Sequence, residues 1–313
     1  MLMFLLLMLG LIGLWYGTEL TINGAVALAK RLGVSEFIVG VAILSVGSDL
    51  PELAIAVGGA IKTAVDGDAS NVVVGTAIGS TLGQIGLVLG ITALLAYLTL
   101  PKRTALRHGA VLLGSIIILA LMAADGLVSA LEGVVMVVVY LIYFVLLWTD
   151  AGKHDPGTGE ALQPPLKSFV FLLIGFSIVI VAAEVTVSSA IELAEQLGVS
   201  EIVIAILLIG LGTSLPELSI SLGAVMKGKA RMSVGNLIGS NIFDTLVPIG
   251  VAAMISAVTV EKSILFRELP FLFILTSVVL FFFLRVRGLQ RWEAVVILAM
   301  YGGYVIAKVS GNL

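Results

Sequence analysis

Long apolar runs separated by short polar breaks fill the chain from one end to the other. A bilayer core about 30 Å thick takes about 20 apolar residues per helix. Measured against that length, the breaks predict ten spans. They lie near residues 2–28, 36–61, 71–97, 106–123, 127–148, 168–193, 201–226, 232–256, 264–284 and 290–308. Residues 1–15 have the hydrophobicity of a signal peptide, but they lack a basic n-region. They also run on into 16–29 without a convincing cleavage site, so the block reads as a mature helix. The one interruption of the pattern is 149–166, with the Gly, Pro and charge of a linker.

Composition narrows the class. Of 313 residues, 59% are hydrophobic and 12% charged, and the mean hydropathy is +1.18. A soluble chain carries about 25% charged residues. Half that cannot clothe a water-facing surface, which excludes a soluble enzyme, a nucleic-acid-binding protein and a disordered scaffold. The net charge of −3 implies no polyanionic partner. With no cysteine there is no disulfide framework, thiol catalysis or cysteine metal site. Two histidines, His108 and His154, argue against a histidine-rich transition-metal site. The fold class is all-α and polytopic, with the lipid bilayer as partner; nothing in the sequence requires an enzyme activity, a cofactor or a protein partner.

Basic residues orient the spans. With ten spans both termini share a side, and that side holds Lys62, Lys262, Arg267 and Lys308. The opposite side holds thirteen: Lys30, Arg31, Lys102, Arg103, Arg107, Lys153, Lys167, Lys227, Lys229, Arg231, Arg285, Arg287 and Arg291. By the positive-inside rule the termini are extracellular, the 149–166 loop is cytoplasmic, and the expected location is the plasma membrane.

The linker divides two related halves. RLGVSEFIVGVAILSVGSDLPEL (31–53) matches QLGVSEIVIAILLIGLGTSLPEL (196–218) at a constant offset of 165, which also pairs Glu19 with Glu184 and Thr21 with Thr186. The match resumes as VGTAIGSTLGQ (74–84) against VGNLIGSNIFD (234–244), at an offset of 160. The predicted organisation is a five-helix repeat over 1–148, the linker 149–166, and a second repeat over 167–313. Five spans is an odd number, so the second repeat inserts upside down. Inverted repeats are typical of secondary transporters, whose sites lie where broken helices meet at the midplane.

The repeated segments carry oxygen chemistry. Each places an acid directly after a proline inside an apolar helix: Pro51-Glu52 and Pro216-Glu217. Proline lacks an N–H and so frees the carbonyls of Gly47 and Gly212. Such groups persist in lipid only where protein buries them or a polar cavity receives them. Helical spacing adds Ser48 to Glu52, Thr213 to Glu217, Ser80 to Gln84 and Ser240 to Asp244. Asp49 and Ser214 occupy equivalent places in the two opened turns. Carboxylates, hydroxyls, an amide and backbone carbonyls form a ligand set for calcium, magnesium or sodium. The structural alternative, acids that merely tie helices together through hydroxyls, leaves the repetition of Pro-Glu unexplained. An intramembrane aspartyl protease built on Asp49 and Asp244 leaves the same feature unexplained, and a channel lined by acids is a further alternative.

At GSDLPEL and GTSLPEL, each followed by a GS-x-x-x-polar helix, the chain resembles the cation/calcium exchanger superfamily, in particular its prokaryotic sodium/calcium exchangers. The resemblance covers nearly the whole chain. It implies a central diamond made by the second and third helices of each repeat, and exchange of Ca2+ for Na+, or for H+ in one branch. The family's glutamates fall on Glu52 and Glu217, its hydroxyl ligands on Ser48, Ser80, Thr213, Ser214 and Ser240, and its later acid on Asp244. Its backbone carbonyl ligands fall on Ser45 and Gly210. Asp49 stands where sodium exchangers usually have serine, and Gln84 where they usually have asparagine. Asp49 adds a fourth charge to a site that normally has three acids. One calcium neutralises two charges, so the surplus implies more bound cations or a proton. Glu19 and Glu184, on helices resembling the family's sliding gate helices, are expected along the cation access paths or at the membrane interface.

Overall fold

Inside lipid every backbone polar group needs a partner within the protein, which favours helices. A computed structural model of the chain, describing residues 2–65, 67–151, 165–198, 214–286 and 288–310, is helical over nearly all of them. The helices are α1 (Leu2–Leu32), α2 (Glu36–Ser48), α3 (Leu50–Val65), α4 (Ser70–Leu95), α5 (Lys102–Met122), α6 (Ala130–Ala151), α7 (Pro165–Gln196), α8 (Leu215–Met226), α9 (Ala230–Ile255), α10 (Ile264–Val286) and α11 (Arg291–Val309). Eight are long and apolar enough to cross a membrane; α2 and α3, bent by 44° at Asp49, count together as a ninth span. The expected seventh span, near 201–226, is seen only in its later part, α8, because 201–213 lie outside the described residues.

Burial separates centre from periphery. In α4 and α9, 72% and 78% of the apolar window is buried, against 22% in α1 and in α6. Leu5, Leu9, Ile12 and Trp15 of α1, and Leu131, Leu141 and Val145 of α6, are exposed, as a lipid-facing surface requires. With little hydrophobic driving force between helices in lipid, close backbone approach through small residues holds such a bundle together. A Cβ at Gly40 of α2 would strike the Met232 carbonyl of α9 and come within 2.8 Å of the Asn236 nitrogen. A Cβ at Gly239 would come within 2.6 Å of Ser45 Oγ. The two glycines seat α2 directly on α9.

On the outside α1 and α7 run antiparallel: Gly10 lies against Thr186, Gly13 against Ala182, and Gly175 against Thr21. The all-α expectation missed four two-residue strands. β1 (Leu98–Thr99) pairs with β4 (Gly288–Leu289), and β2 (Leu127–Val128) with β3 (Val258–Thr259), both antiparallel. Helix ends leave backbone groups without intrahelical partners, and these clasps satisfy some of them while joining the chain's two halves. At the start of α11, Gln290 and Glu293 form a reciprocal capping box; fully buried Glu293 also accepts from Arg285 Nη2 at 3.0 Å.

Candidate cation site

The break between α2 and α3 builds one side of the site. Asp49 has φ −90° and ψ 8°, off the helical geometry; α3 then starts at Leu50, with Pro51 and Glu52 in its first turn. The second half repeats the Leu-Pro-Glu helix start. Ser214 has φ −108° and ψ 10°, and Leu215, Pro216 and Glu217 open α8. Each glutamate thus sits at a helix N-terminus, where the partial positive charge favours an anion. From α4 and α9 come Ser80 with Gln84, and Ser240 with Asp244, each pair one turn apart. Gln84 begins a wide π-helical turn, Gln84–Val88, and a second such turn, Gly40–Leu44, precedes Ser45. Turns of this kind re-aim side chains and recur at functional sites.

These elements bring carboxylate oxygens of Asp49, Glu52 and Glu217 within 4.8 Å of one another, with Asp49 and Glu217 fully buried and Glu52 3% exposed. A hydrogen-bond chain links them to the fourth acid. Ser80 Oγ donates to Glu52 Oε1 at 3.5 Å and accepts from Gln84 Nε2 at 3.1 Å. The same Nε2 donates to Asp244 Oδ2 at 2.9 Å, joining the halves across 160 residues. Ser48 Oγ donates to Asp49 Oδ1 at 3.4 Å and to the Ser45 carbonyl at 3.2 Å.

Many oxygens remain without a hydrogen-bond partner among the described residues. They include Asp49 Oδ2, Glu52 Oε2, both oxygens of Glu217, Asp244 Oδ1, Gln84 Oε1, and the hydroxyls of Ser214 and Ser240. The ion pairs among the described residues, Glu19–Lys227, Glu36–Lys229, Glu293–Arg285 and Glu268–Lys308, use none of the four acids. Buried carboxylates without a cationic side chain are costly. Hard oxygens converging on one place are a donor set for calcium or sodium, which take carboxylate, carbonyl and hydroxyl ligands.

Of the residues expected from sequence, Asp49, Glu52 and Glu217 form the tight cluster, and Ser48, Ser80, Gln84 and Asp244 join it through hydrogen bonds. Ser214 and Ser240 are buried. Ser45 is buried too, but its carbonyl already accepts from the Asp49 nitrogen at 3.0 Å, and its hydroxyl donates to Val41 O at 2.5 Å. Gly210 and Thr213 lie outside the described residues. Glu19 pairs with Lys227 at 3.6 Å, and Glu184 accepts from Ser188 Oγ at 3.3 Å; both are exposed. The sequence reading missed Asn236 and Asn241, buried on α9 with their Oδ1 atoms unpartnered. The signal was present in GNLIGSNIFD, since amides in mid-span carry a cost that needs a reason.

Residues 2–149 and 167–309 match the family described as sodium/calcium exchanger protein. The chain belongs to this family. It is 28% identical to the sodium/calcium exchanger MaX1 of Methanosarcina acetivorans over 345 residues, covering 97% of each chain. It is 29% identical to the putative antiporter CaxA of Alkalimonas amylolytica over 312 residues, covering 95% of each. Among solved structures it is similar to the sodium-calcium exchanger NCX_Mj soaked with 2.5 mM Na+ and 0.1 mM Ca2+. The TM-score is 0.81 and the identity 30%, with 99% of this chain and 98% of that one covered. For a sodium/calcium exchanger family member, the broken helix at Asp49 and the buried acids have a common setting.

Proposed function

We propose that this family member is a secondary active antiporter that exchanges Ca2+ for Na+ by alternating access. The observation that carries the reading is the cluster of Asp49, Glu52 and Glu217, buried within 4.8 Å of one another, with unpartnered oxygens and no ion pair to a basic side chain among the described residues. The similar NCX_Mj was solved with sodium, calcium or strontium supplied, which supports the same cargo here. In this reading Glu52 and Glu217 bind calcium from opposite halves, Asp49 adds a third carboxylate, and Ser48, Ser80, Gln84, Thr213, Ser214, Ser240 and Asp244 complete overlapping calcium and sodium sites, with carbonyls of Ser45 and Gly210. Calcium and sodium compete for these oxygens, so one is held when the other leaves. The empty acidic site does not cross, which prevents leak. Sodium moving down its gradient extrudes calcium, and the protein works as a carrier with no resident cofactor and no enzymatic step.

The ten-span, inverted-repeat plan belongs to the same proposal. Its support is that contacts recur under the repeat offset. Gly10 with Thr186 becomes Gly175 with Thr21 when each residue is exchanged for its equivalent 165 positions away. The clasps β1–β4 and β2–β3 are exchanged in the same way, near the offset of 160. The distribution of basic residues supports extracellular termini, a cytoplasmic 149–166 loop and the plasma membrane.

A second reading, proton/calcium antiport, is favoured by the extra carboxylate of Asp49. Calcium uptake into sodium-loaded vesicles tests the proposal. Glu52→Gln and Glu217→Gln are each expected to abolish it, and normal uptake in both variants sinks the assignment.

A further inference from the structure

Outside the cation site, α1 is fastened to α8 by a small polar cluster. Lys227 Nζ, at the end of α8, lies 3.6 Å from Glu19 Oε1 and donates to Asn23 Oδ1 at 2.8 Å. Next to Glu19 on α1, Thr18 Oγ1 shares a hydrogen bond of 2.5 Å with Ser219 Oγ of α8. Contact is close: a Cβ at Gly223 would strike the Thr18 side chain and come within 3.0 Å of Ile22.

The 165-residue offset carries Glu19 to Glu184, Asn23 to Ser188, Gly223 to Gly58 and Lys227 to Lys62, while Thr18 and Ser219 fall on Ala183 and Ala54. A charge pair of the same sign order is therefore written a second time, between α7 and α3. There the parts stand apart. A Cβ at Gly58 would meet nothing within 4 Å, Lys62 is exposed with no acidic partner among the described residues, and Glu184 accepts from its own helix at Ser188. The same four positions are thus closed in one half and open in the other.

We infer that Glu19–Lys227 and Glu184–Lys62 are positioning pairs of the exchange cycle, two latches of which one closes as the other opens. The inference rests on the alternating-access reading above. A rigid exchange of the two arrangements would bring α7 onto Gly58, as α1 now lies on Gly223, and carry Glu184 to Lys62. By the distribution of basic residues, the Lys227 latch shuts the cytoplasmic side and the Lys62 latch the extracellular side. With side chains 32% and 49% exposed, the closed pair is weak enough to open in every cycle. A pair this exposed biases an equilibrium by roughly two- to fivefold.

The chain has no cysteine, so paired cysteines report without background. The full-length variants E19C/K227C and K62C/E184C are reconstituted and treated with a short, reducible thiol cross-linker under varied sodium and calcium gradients. Conditions that raise one cross-link are expected to lower the other, and either cross-link to stop calcium flux until reduced. Cross-linking of both pairs in parallel, failure of the K62C/E184C pair under every gradient, or flux that survives complete cross-linking would overturn the inference. Charge reversal provides a second readout. E19K and K227E are each expected to shift the balance of K62C/E184C cross-linking about two- to fivefold, and the double swap to restore it. No restoration counts against the latch. Reciprocal cross-links in the two paired-cysteine variants, with no sodium-driven calcium flux in the parent, would keep the latches and remove the proposed function instead.

Discussion

Asp49→Asn keeps the side chain's shape and removes one of three charges held within 4.8 Å. At that separation the Coulomb repulsion is at least about 3.5 kcal/mol per pair, for an effective dielectric constant of about 20. Three ionised carboxylates then repel one another by about 10 kcal/mol, comparable with the whole stability of a typical fold, about 5–15 kcal/mol. Such a cluster is stable only with its charge offset, and cations that bind the folded state stabilise it by mass action. Asp49→Asn removes two of the three pair terms, nominally about 7 kcal/mol. Charge already offset in the parent reduces the gain to a fraction of that. Each kcal/mol recovered raises the midpoint by about 2–4 °C. The assay is thermal unfolding of the purified protein without sodium or calcium, followed by a calcium titration. The variant is expected to melt higher than the parent without ions and to gain less from calcium. A lower ion-free midpoint with an unchanged calcium-induced rise would refute the reasoning and place Asp49 outside the site.

Gln84→Ala removes the donor shared by Ser80 and Asp244. A buried hydrogen bond to a charged group is worth about 1.5–3 kcal/mol, so the apparent ion affinity in flux assays is expected to fall about 10- to 100-fold. Gly40→Val forces a branched side chain into the backbone contact between α2 and α9, and a loss of about 1–3 kcal/mol is expected as a lower unfolding midpoint. In the loop before α4, hydrogen bonds from Ser70 and then Thr259 hold the Asp68 carboxyl below its usual range. A depressed value contributes stability above the unfolded value, about pH 4, and that stability is lost as pH falls through the folded value. Amide protection at residues 68–71, the ratio of intrinsic to observed exchange rate, should fall on acidification, and Asp68→Asn should remove that dependence.

What the sequence disclosed followed from repetition and from cost. Glu52 and Glu217 were legible because an acid after proline in an apolar helix is expensive, and writing it twice excludes accident. Asp49 was legible as the residue that stands where sodium exchangers usually have serine, and the structure holds it against both glutamates. Contacts between distant residues were not legible. Gln84 reaches Asp244 across 160 positions, and Lys227 reaches Glu19 across 208; helical periodicity describes one helix at a time and says nothing of which helices meet. The π-helical turns and the four short strands escaped for a related reason. They arise where helices must re-aim side chains or satisfy end groups against a neighbour. Arg285 read only as one of the basic residues that orient the spans, yet it pairs with Glu293, which is fully buried and caps α11.

Calcium flux into proteoliposomes, with sodium and pH gradients imposed separately, decides the proposed function. Uptake driven by an outward sodium gradient at equal pH, saturable, and absent in Glu52→Gln and Glu217→Gln, is the expected result. Uptake that follows the pH gradient and ignores sodium, or that needs no countercation at all, would contradict sodium-coupled exchange.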